Sequence, residues 1–232
     1  MRILVVNPNT TKSMTEKACK AARKVASPGT EVIAVTSEHG PVSIEGYYDE
    51  AMAVPGMLKA IQNQADFDAV VIACFDDTGL DAARCLTDKP VIGIGEAGYR
   101  VASIVANKFS VITTLGRSVP ALEHNILRYG LERQCIKVRS SEIPVLELEN
   151  ESSGALVKIS NEIERALAED RAEAIVLGCA GMVDLAQQLS EIHSVPVLDG
   201  VTCAVSLCES LVRLNVNNSQ QGGYAPPPTS KL

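Results

Sequence analysis

No stretch of this sequence approaches the roughly 18 consecutive apolar residues that a membrane span needs, and the chain is not expected to cross a bilayer. Basic residues are in the minority. The 21 Lys and Arg face 28 Asp and Glu, a net charge of −7 that disfavours a nucleic-acid surface. There is no C-x-x-C pair, the three histidines His39, His124 and His193 stand far apart, and no glycine-rich dinucleotide fingerprint is present, so neither a metal site nor a nucleotide cofactor is expected. The start of the chain lacks an export pattern, since Met1-Arg2 leads straight into Ile3-Leu4-Val5-Val6 and Asn7-Pro8. Disorder is excluded as well, because 46 % of residues are hydrophobic and 21 % charged, close to the globular average. Seven cysteines, at 19, 74, 85, 135, 179, 203 and 208, then point to a reducing cytoplasm, and their odd number leaves at least one thiol free.

Short β-branched runs alternate with longer segments of helical period, the pattern of repeated βα units and a parallel sheet. The clearest strands are Ile3–Val6, Val32–Val35, Ala69–Ala73, Val91–Gly93, Ser110–Thr113, Ala174–Gly178 and Val195–Leu198. Helices are predicted over Lys12–Ala26, Met52–Gln64, Leu80–Leu86, Gly98–Ala106, Val119–Tyr129, Gly154–Glu169, Val183–Leu189 and Thr202–Leu214. From Asn217 onward, Gly222-Gly223 and Pro226-Pro227-Pro228 mark a solvated extension.

An internal repeat organises these units. Asp68-Ala69-Val70-Val71-Ile72-Ala73-Cys74 matches Glu173-Ala174-Ile175-Val176-Leu177-Gly178-Cys179 in type at every position, an offset of 105. Lys89-Pro90-Val91-Ile92-Gly93 then lies over Val195-Pro196-Val197-Leu198-Asp199 at an offset of 106, and Ile3–Asn7 echoes Ser110–Thr114. Buried parallel strands resemble one another by composition alone. Here an acidic residue opens both strands, a cysteine closes both, and an X-Pro-Val strand follows both, which favours duplication over chance. The expected fold is α/β with two pseudo-symmetric lobes, each a mostly parallel sheet flanked by helices, and a site in the cleft between them. The lobes are residues 1–106 and 107–213, with the last helix allowed to cross back onto the first, and 214–232 is a flexible tail.

In parallel α/β sheets ligands gather where strands end and helices begin. Cys74 and Cys179 both stand at that junction. A single buried cysteine is usually inert packing, and Cys19, Cys85, Cys203 and Cys208 fit that description within helices, with Cys135 before a strand. A pseudo-twofold pair differs, because equivalent strand ends bring two thiols to opposite sides of one molecule. Inverting a carbon centre needs a base on one face and an acid on the other, and two thiols can exchange those parts without a cofactor. Asp76, Asp77, Thr78 and Gly79 after Cys74, and Ala180 and Gly181 after Cys179, are expected to form first helical turns whose amides lower the thiol pKa and hold a developing oxyanion. The carboxylates of Asp76 and Asp77 are expected to cap their turn.

Two further strand ends border the expected cleft. Asn7-Pro8-Asn9-Thr10 follows the first strand and Thr113-Thr114-Leu115-Gly116 its counterpart, and both offer short polar groups for capping or for ligand contact, with Asn7, Thr113 and Thr114 the candidates for contact. Gly40–Tyr48, rich in aromatics for a chain with 3 % of them, is read as a lid carrying Ile44 and the tyrosines over the ligand.

These residues resemble the aspartate/glutamate/hydantoin racemase family, in its hydantoin and allantoin branches. The resemblance covers nearly the whole chain to about Leu214 and rests on Asn7-Pro8-Asn9-Thr10, Gly40-Pro41-Val42-Ser43-Ile44-Glu45-Gly46, Cys74-Phe75-Asp76-Asp77-Thr78-Gly79, Thr113-Thr114-Leu115 and Gly178-Cys179-Ala180-Gly181-Met182. It implies two catalytic thiols, Cys74 and Cys179, a small-molecule substrate, no cofactor and a homo-oligomer. Glutamate racemases look like Cys-Asn-Thr and Gly-Cys-Thr-His at these places, and this chain has Cys74-Phe75-Asp76 and Cys179-Ala180-Gly181 instead, which disfavours a free amino acid. A hydantoin carries an acidic C5–H beside a carbonyl and an acyl nitrogen. Phe75, Ile44 and Met182 are the expected apolar walls for its 5-substituent, and Ala180, Gly181 and Asp76 complete the binding set. Allantoin is the near alternative. Aspartate or glutamate racemisation, or dicarboxylate decarboxylation or isomerisation, is less favoured because Arg117 is the one obvious cationic anchor nearby. A pure binding module would have no use for symmetric thiols.

Overall fold

The structure, a computed structural model, describes residues 1–228, so residues 229–232 of the expected tail lie outside the described residues. The first half runs β1 (Arg2–Asn7), α1 (Lys12–Val25), β2 (Glu31–Thr36), α2 (Tyr47–Gln62), β3 (Ala69–Ile72), α3 (Leu80–Arg84), β4 (Val91–Gly93) and α4 (Ile94–Val105). The second repeats it as β5 (Phe109–Thr113), α5 (Val119–Arg128), β6 (Cys135–Ser140), α6 (Ala155–Arg165), β7 (Ala174–Leu177), α7 (Ala186–His193), β8 (Val197–Asp199) and α8 (Gly200–Arg213). Among the described residues the strands form two four-stranded sheets, β2-β1-β3-β4 and β6-β5-β7-β8, with every pairing parallel. The identical order in both is what a duplicated half predicts.

Helices cover both faces of a parallel sheet, which is why its strands read as continuous apolar runs. Ile3, Leu4, Val5 and Val6 of β1, and Ala174, Ile175, Val176 and Leu177 of β7, are fully buried. Strand β6 escapes the sequence pattern because it is an edge strand carrying Lys137 and Arg139 in its middle. Arg139 is buried there and paired with Asp170 at 2.6 Å and Glu169 at 2.7 Å, so a charge inside the strand is satisfied rather than solvated.

The two halves exchange their last helices. Helix α4 packs on β7, β8 and α8, while α8 packs on β3, β4, α1 and α4. The two crossings are equivalent, α4 reaching the second half's sheet and α8 the first's. The exchange demands a very close approach. A Cβ added to Gly200 would stand 2.1 Å from the Ile94 main-chain oxygen. Residues 94 and 200 are repeat equivalents, and equivalent residues touch where the pseudo-twofold axis passes.

The segment after Arg213 differs from the solvated extension expected of it. Asn218 donates from its main chain to Asp88 O and from Nδ2 to Lys89 O, both at 2.7 Å, and the Tyr224 hydroxyl donates to Asp81 at 3.1 Å with Arg84 over its ring. Short polar side chains here satisfy free carbonyls in the α3–β4 link, so this part of the tail is laid on the first half. No helix of the described residues is long and apolar enough to cross a membrane.

Candidate active site

In each sheet the strand order reverses between its two central strands, β1/β3 and β5/β7, and the carboxyl ends at such a switch point form a natural crevice. Here the two crevices merge into one pocket. Its wall is drawn from like places in the two halves: Ala73 and Gly178, Cys74 and Cys179, and Phe75 and Ala180 correspond residue for residue after β3 and β7, Asn9 and Thr114 follow β1 and β5, and Ile44 and Val145 come from the loops after β2 and β6. Met14, Asp76, Thr113 and Ser118 complete it.

The structure thus brings together Cys74, Cys179, Ile44, Phe75, Asp76, Thr113, Thr114 and Ala180 of the expected set. Asn7 stands apart. It is buried behind the wall, where Nδ2 points at Asn9 Oδ1 at 2.9 Å and Thr15 Oγ1 at 3.0 Å, so it orients Asn9, which occupies the wall in its stead. Thr113 spends its hydroxyl on Gly178 O at 3.0 Å and fixes the main chain that presents Cys179. Gly181 lies beneath the wall, directly behind Cys179. A Cβ there would meet Leu148 Cδ1 at 2.9 Å.

Three other expectations are corrected. Met182 is fully buried in the second half's core beside Ile112 and Leu189, because it falls on the inner side of the 3-10 turn Ala180–Leu185. Tyr47 and Tyr48 are exposed, since α2 starts at Tyr47 and sets both on its solvent side; Ile44 alone of that loop's apolar groups reaches the pocket. Arg117 is outside the pocket wall and lies along Gly46. Asn9, Met14, Ser118 and Val145 are the wall residues that chain pattern alone did not single out. The repeat offset does not carry Ile44 onto Val145, so Val145 had no signal in the sequence.

The turn after Cys179 is the expected helical start, since Cys179 caps the 3-10 helix Ala180–Leu185, but the turn after Cys74 is not. Helix α3 begins only at Leu80, behind a turn in which Asp77 (φ 54°) and Gly79 (φ 65°) adopt left-handed backbone, and α7 only at Ala186. At both sulfurs burial is the dominant influence. Burial and then the Asp76 carboxylate push the Cys74 thiol well above the usual range, against the Thr78 hydroxyl and the Asp76 amide. Burial pushes Cys179 up to about 12, with the Gly181 amide and Lys17 opposing it and Asp76 and Glu45 adding to it. Both thiols are therefore protonated at neutral pH.

The two carboxylates of the first turn part company. Asp77 caps α4 rather than its own turn, accepting from the amides of Gly95 at 2.9 Å and Glu96 at 2.7 Å and from the Tyr129 hydroxyl at 2.6 Å. Asp76 is 7 % exposed, lines the pocket, and has no partner at Oδ2. Burial, then Glu50, Asp77 and Asp49, raise its pKa from 3.8 to about 7. Asn125 of α5 holds its main-chain oxygen at 2.8 Å, so the second half fixes the turn that presents it. Phe75 is backed by Tyr99 in an edge contact at 5.2 Å, and Tyr99 packs in turn on Phe109 and Tyr129, which gathers half of the chain's eight aromatics behind the pocket.

The family description Asp/Glu/Hydantoin racemase matches residues 3–208. The chain is 50 % identical over 229 residues to a hydantoin racemase of Rhizobium meliloti, covering 98 % of this chain and 95 % of that one. Among solved structures, an allantoin racemase from Klebsiella pneumoniae aligns at 46 % identity and a TM-score of 0.95, covering 99 % of this chain and 94 % of the other. One from Pseudomonas fluorescens aligns at 42 % and 0.97, covering 100 % and 99 %. A match of this extent, on a duplicated parallel α/β fold common to those structures, makes the chain an isomerase and a member of the Asp/Glu/hydantoin racemase family.

Proposed function

We propose that this protein racemises 5-monosubstituted hydantoins at C5, with Cys74 and Cys179 serving opposite faces of the ring and no cofactor taking part. The observation that carries the reading is the pocket wall: two thiols from equivalent strand ends, and among the described residues no Lys or Arg lining it. A dicarboxylate would bring charge to a wall that already holds Asp76 and offers no bidentate cation. A hydantoin is neutral, and its C5–H is acidified by the neighbouring carbonyl and acyl nitrogen.

One thiolate removes the C5 proton from one face, the electron pair spreads into the ring carbonyl, and the other thiol returns a proton to the opposite face. In the reverse direction the thiols exchange parts. Thr114, Ser118 and the Ala180 amide are the groups available to the ring's oxygens, and Ile44, Phe75, Val145 and Met14 form the apolar side that receives the 5-substituent. Allantoin is a hydantoin whose 5-substituent is a ureido group, and it belongs to the same class. Seven free thiols suit the reducing cytoplasm, where we place the protein as a homo-oligomer, following the family resemblance.

The test is loss of optical rotation with enantiopure hydantoins bearing benzyl, isobutyl, methyl, carboxymethyl and ureido groups, beside L-Asp and L-Glu. Racemisation of the hydantoins alone is expected, benzyl and isobutyl above methyl because each buried CH₂ contributes about 0.8 kcal/mol. Cys74→Ser and Cys179→Ser should each lower racemisation by about 1,000-fold or more, and one of them is expected to exchange the C5 hydrogen of a single enantiomer for deuterium without inverting it. Near-full racemisation in either variant, or a preference for carboxymethyl, would sink the reading.

A further inference from the structure

A pocket with two protonated thiols lacks the base that two-thiol inversion requires, and a group that can take up one thiol proton must be close by. Asp76 is the side chain placed to do so. It stands two residues from Cys74 on the same turn, its Oδ2 is buried without a partner, and its charge bears on the proton affinity of both Cys74 and Cys179. Its main chain is held by Asn125 from the other half, which fixes the turn that presents the carboxylate to the pocket. Nothing in the fold needs a carboxylate here: its neighbour Asp77 already caps α4, and the corresponding position after Cys179 is Gly181.

We propose that Asp76 is the proton reservoir of the pocket, a positioning residue that sets which thiol is ionised. This rests on the two-thiol reading above. The charge balances as follows. Cys74–SH and the Asp76 carboxylate become Cys74–S⁻ and the Asp76 acid; Cys74–S⁻ takes the C5 proton; Cys179–SH gives its proton to the opposite face and becomes Cys179–S⁻; the Asp76 acid then returns its proton to Cys179. For the other enantiomer the thiols trade places. One negative charge stays in the pocket throughout, and no oxidant, metal or external base is consumed.

The charged and titratable groups facing Asp76 are Cys74 and Asp77 on its own turn, Asp49 and Glu50 from α2, Tyr99 from α4 and Cys179 from the second half. Arg128 and His124 of α5 act on Glu50 instead. No cation is among the groups that shift Asp76, which is why it reaches about 7 and can gain and lose a proton near neutral pH. Activity then needs the carboxylate and falls as pH drops through that value.

The experiment measures kcat and KM from about pH 5.5 to about 10 for the wild type, Asp76→Asn and Asp76→Glu, with Cys74→Ser and Cys179→Ser alongside, using the hydantoin best turned over. The wild type should show an acid limb near pH 7. Asp76→Asn should lose about 100-fold in kcat with KM within roughly threefold; its remaining activity should rise only at alkaline pH, where a thiol ionises unaided, and Asp76→Glu should recover the neutral limb. Asp76→Asn with unchanged kcat and limb, or with a loss confined to KM, overturns the proposal. If that variant does not fold, the wild type decides alone, and a kcat flat across pH 7 overturns it. Failure of the two-thiol reading is distinct: either serine variant would then stay active, whatever happens at residue 76.

Discussion

The turn after Cys74 and the turn after Cys179 occupy equivalent places at the ends of β3 and β7, yet they are built from opposite materials. Phe75, Asp76 and Asp77 in the first stand where Ala180, Gly181 and Met182 stand in the second. The first turn carries the bulk and the charge of the pocket, and the second offers amides and room. Symmetry of fold thus opposes two like sulfurs, while asymmetry of sequence keeps the wall from being a mirror of itself. A molecule in the pocket meets walls of different character from the two halves, although the two sulfurs are the same.

The same contrast recurs at the axis, where the first half places Ile94 and the second Gly200. Alanine at either position should destabilise for opposite reasons. Gly200→Ala drives a Cβ to 2.1 Å from a main-chain oxygen and forces α4 and α8 apart, with an expected cost of about 3 kcal/mol or more. Ile94→Ala empties a fully buried site and should cost about 2–4 kcal/mol. Because the clash at Gly200 is with backbone, truncating the Ile94 side chain cannot relieve it, and the double variant should show no rescue in urea unfolding. A double variant as stable as Ile94→Ala alone would mean that the helices pack side chain to side chain.

The next effect concerns stability against pH and separates position 76 from position 181. In the folded protein Asp76 holds its proton more tightly than in the unfolded chain, so the stability it contributes is present below pH 3.8 and is lost as pH rises towards about 7. The displacement sets a ceiling of about 4 kcal/mol, and since Asn brings a buried amide of its own, a gain of about 2 kcal/mol is expected for Asp76→Asn at pH 8. At acid pH the variant and the wild type should converge. Thermal melts at the two pH values check this, and an Asp76→Asn protein less stable than wild type at pH 8 would show a carboxylate satisfied in the fold.

Much of this was legible in the sequence. Strand ends, the two thiols, Ile44 and Phe75 follow from the repeat and from where βα units present their ligands. Three features were not, and each has a physical reason. Which sheet a helix covers is not written in its periodicity: Ile94, Ala97, Gly98 and Ala102 mark a buried stripe on α4 but not the partner it is buried against. The turn after Cys74 looks like a helix start because Asp, Thr and Gly favour both caps and left-handed turns, and it is Asp77 and Gly79 with positive φ that defer α3. Asn7 and Asn9 are chemically alike, and only the hydrogen bonds between them show which one faces the pocket.

The smallest effect lies where the halves meet above the pocket. Glu45, next to Ile44, accepts the Val145 amide on Oε1 at 2.9 Å, so the loop of the first half is latched to the loop of the second through the two residues whose neighbours and side chains form the apolar roof. Thr11 Oγ1, donating to Val42 O at 2.7 Å, ties the same loop to its own half. Glu45→Ala removes the acceptor across the halves and leaves that second tie in place, so it should cost about 1 kcal/mol of stability and loosen the roof rather than abolish it. Ile44 and Val145 would then close less firmly on a bound ring, and KM should rise by about threefold to tenfold with kcat nearly unchanged, the pattern of lost uniform binding. Glu45→Gln keeps an oxygen acceptor for the same amide and should restore most of the affinity. If Glu45→Ala instead lowered kcat with KM unmoved, the loop would act through the reacting groups, consistent with the Glu45 charge that already bears on Cys179, and the first half would contribute more to the second thiol than a roof.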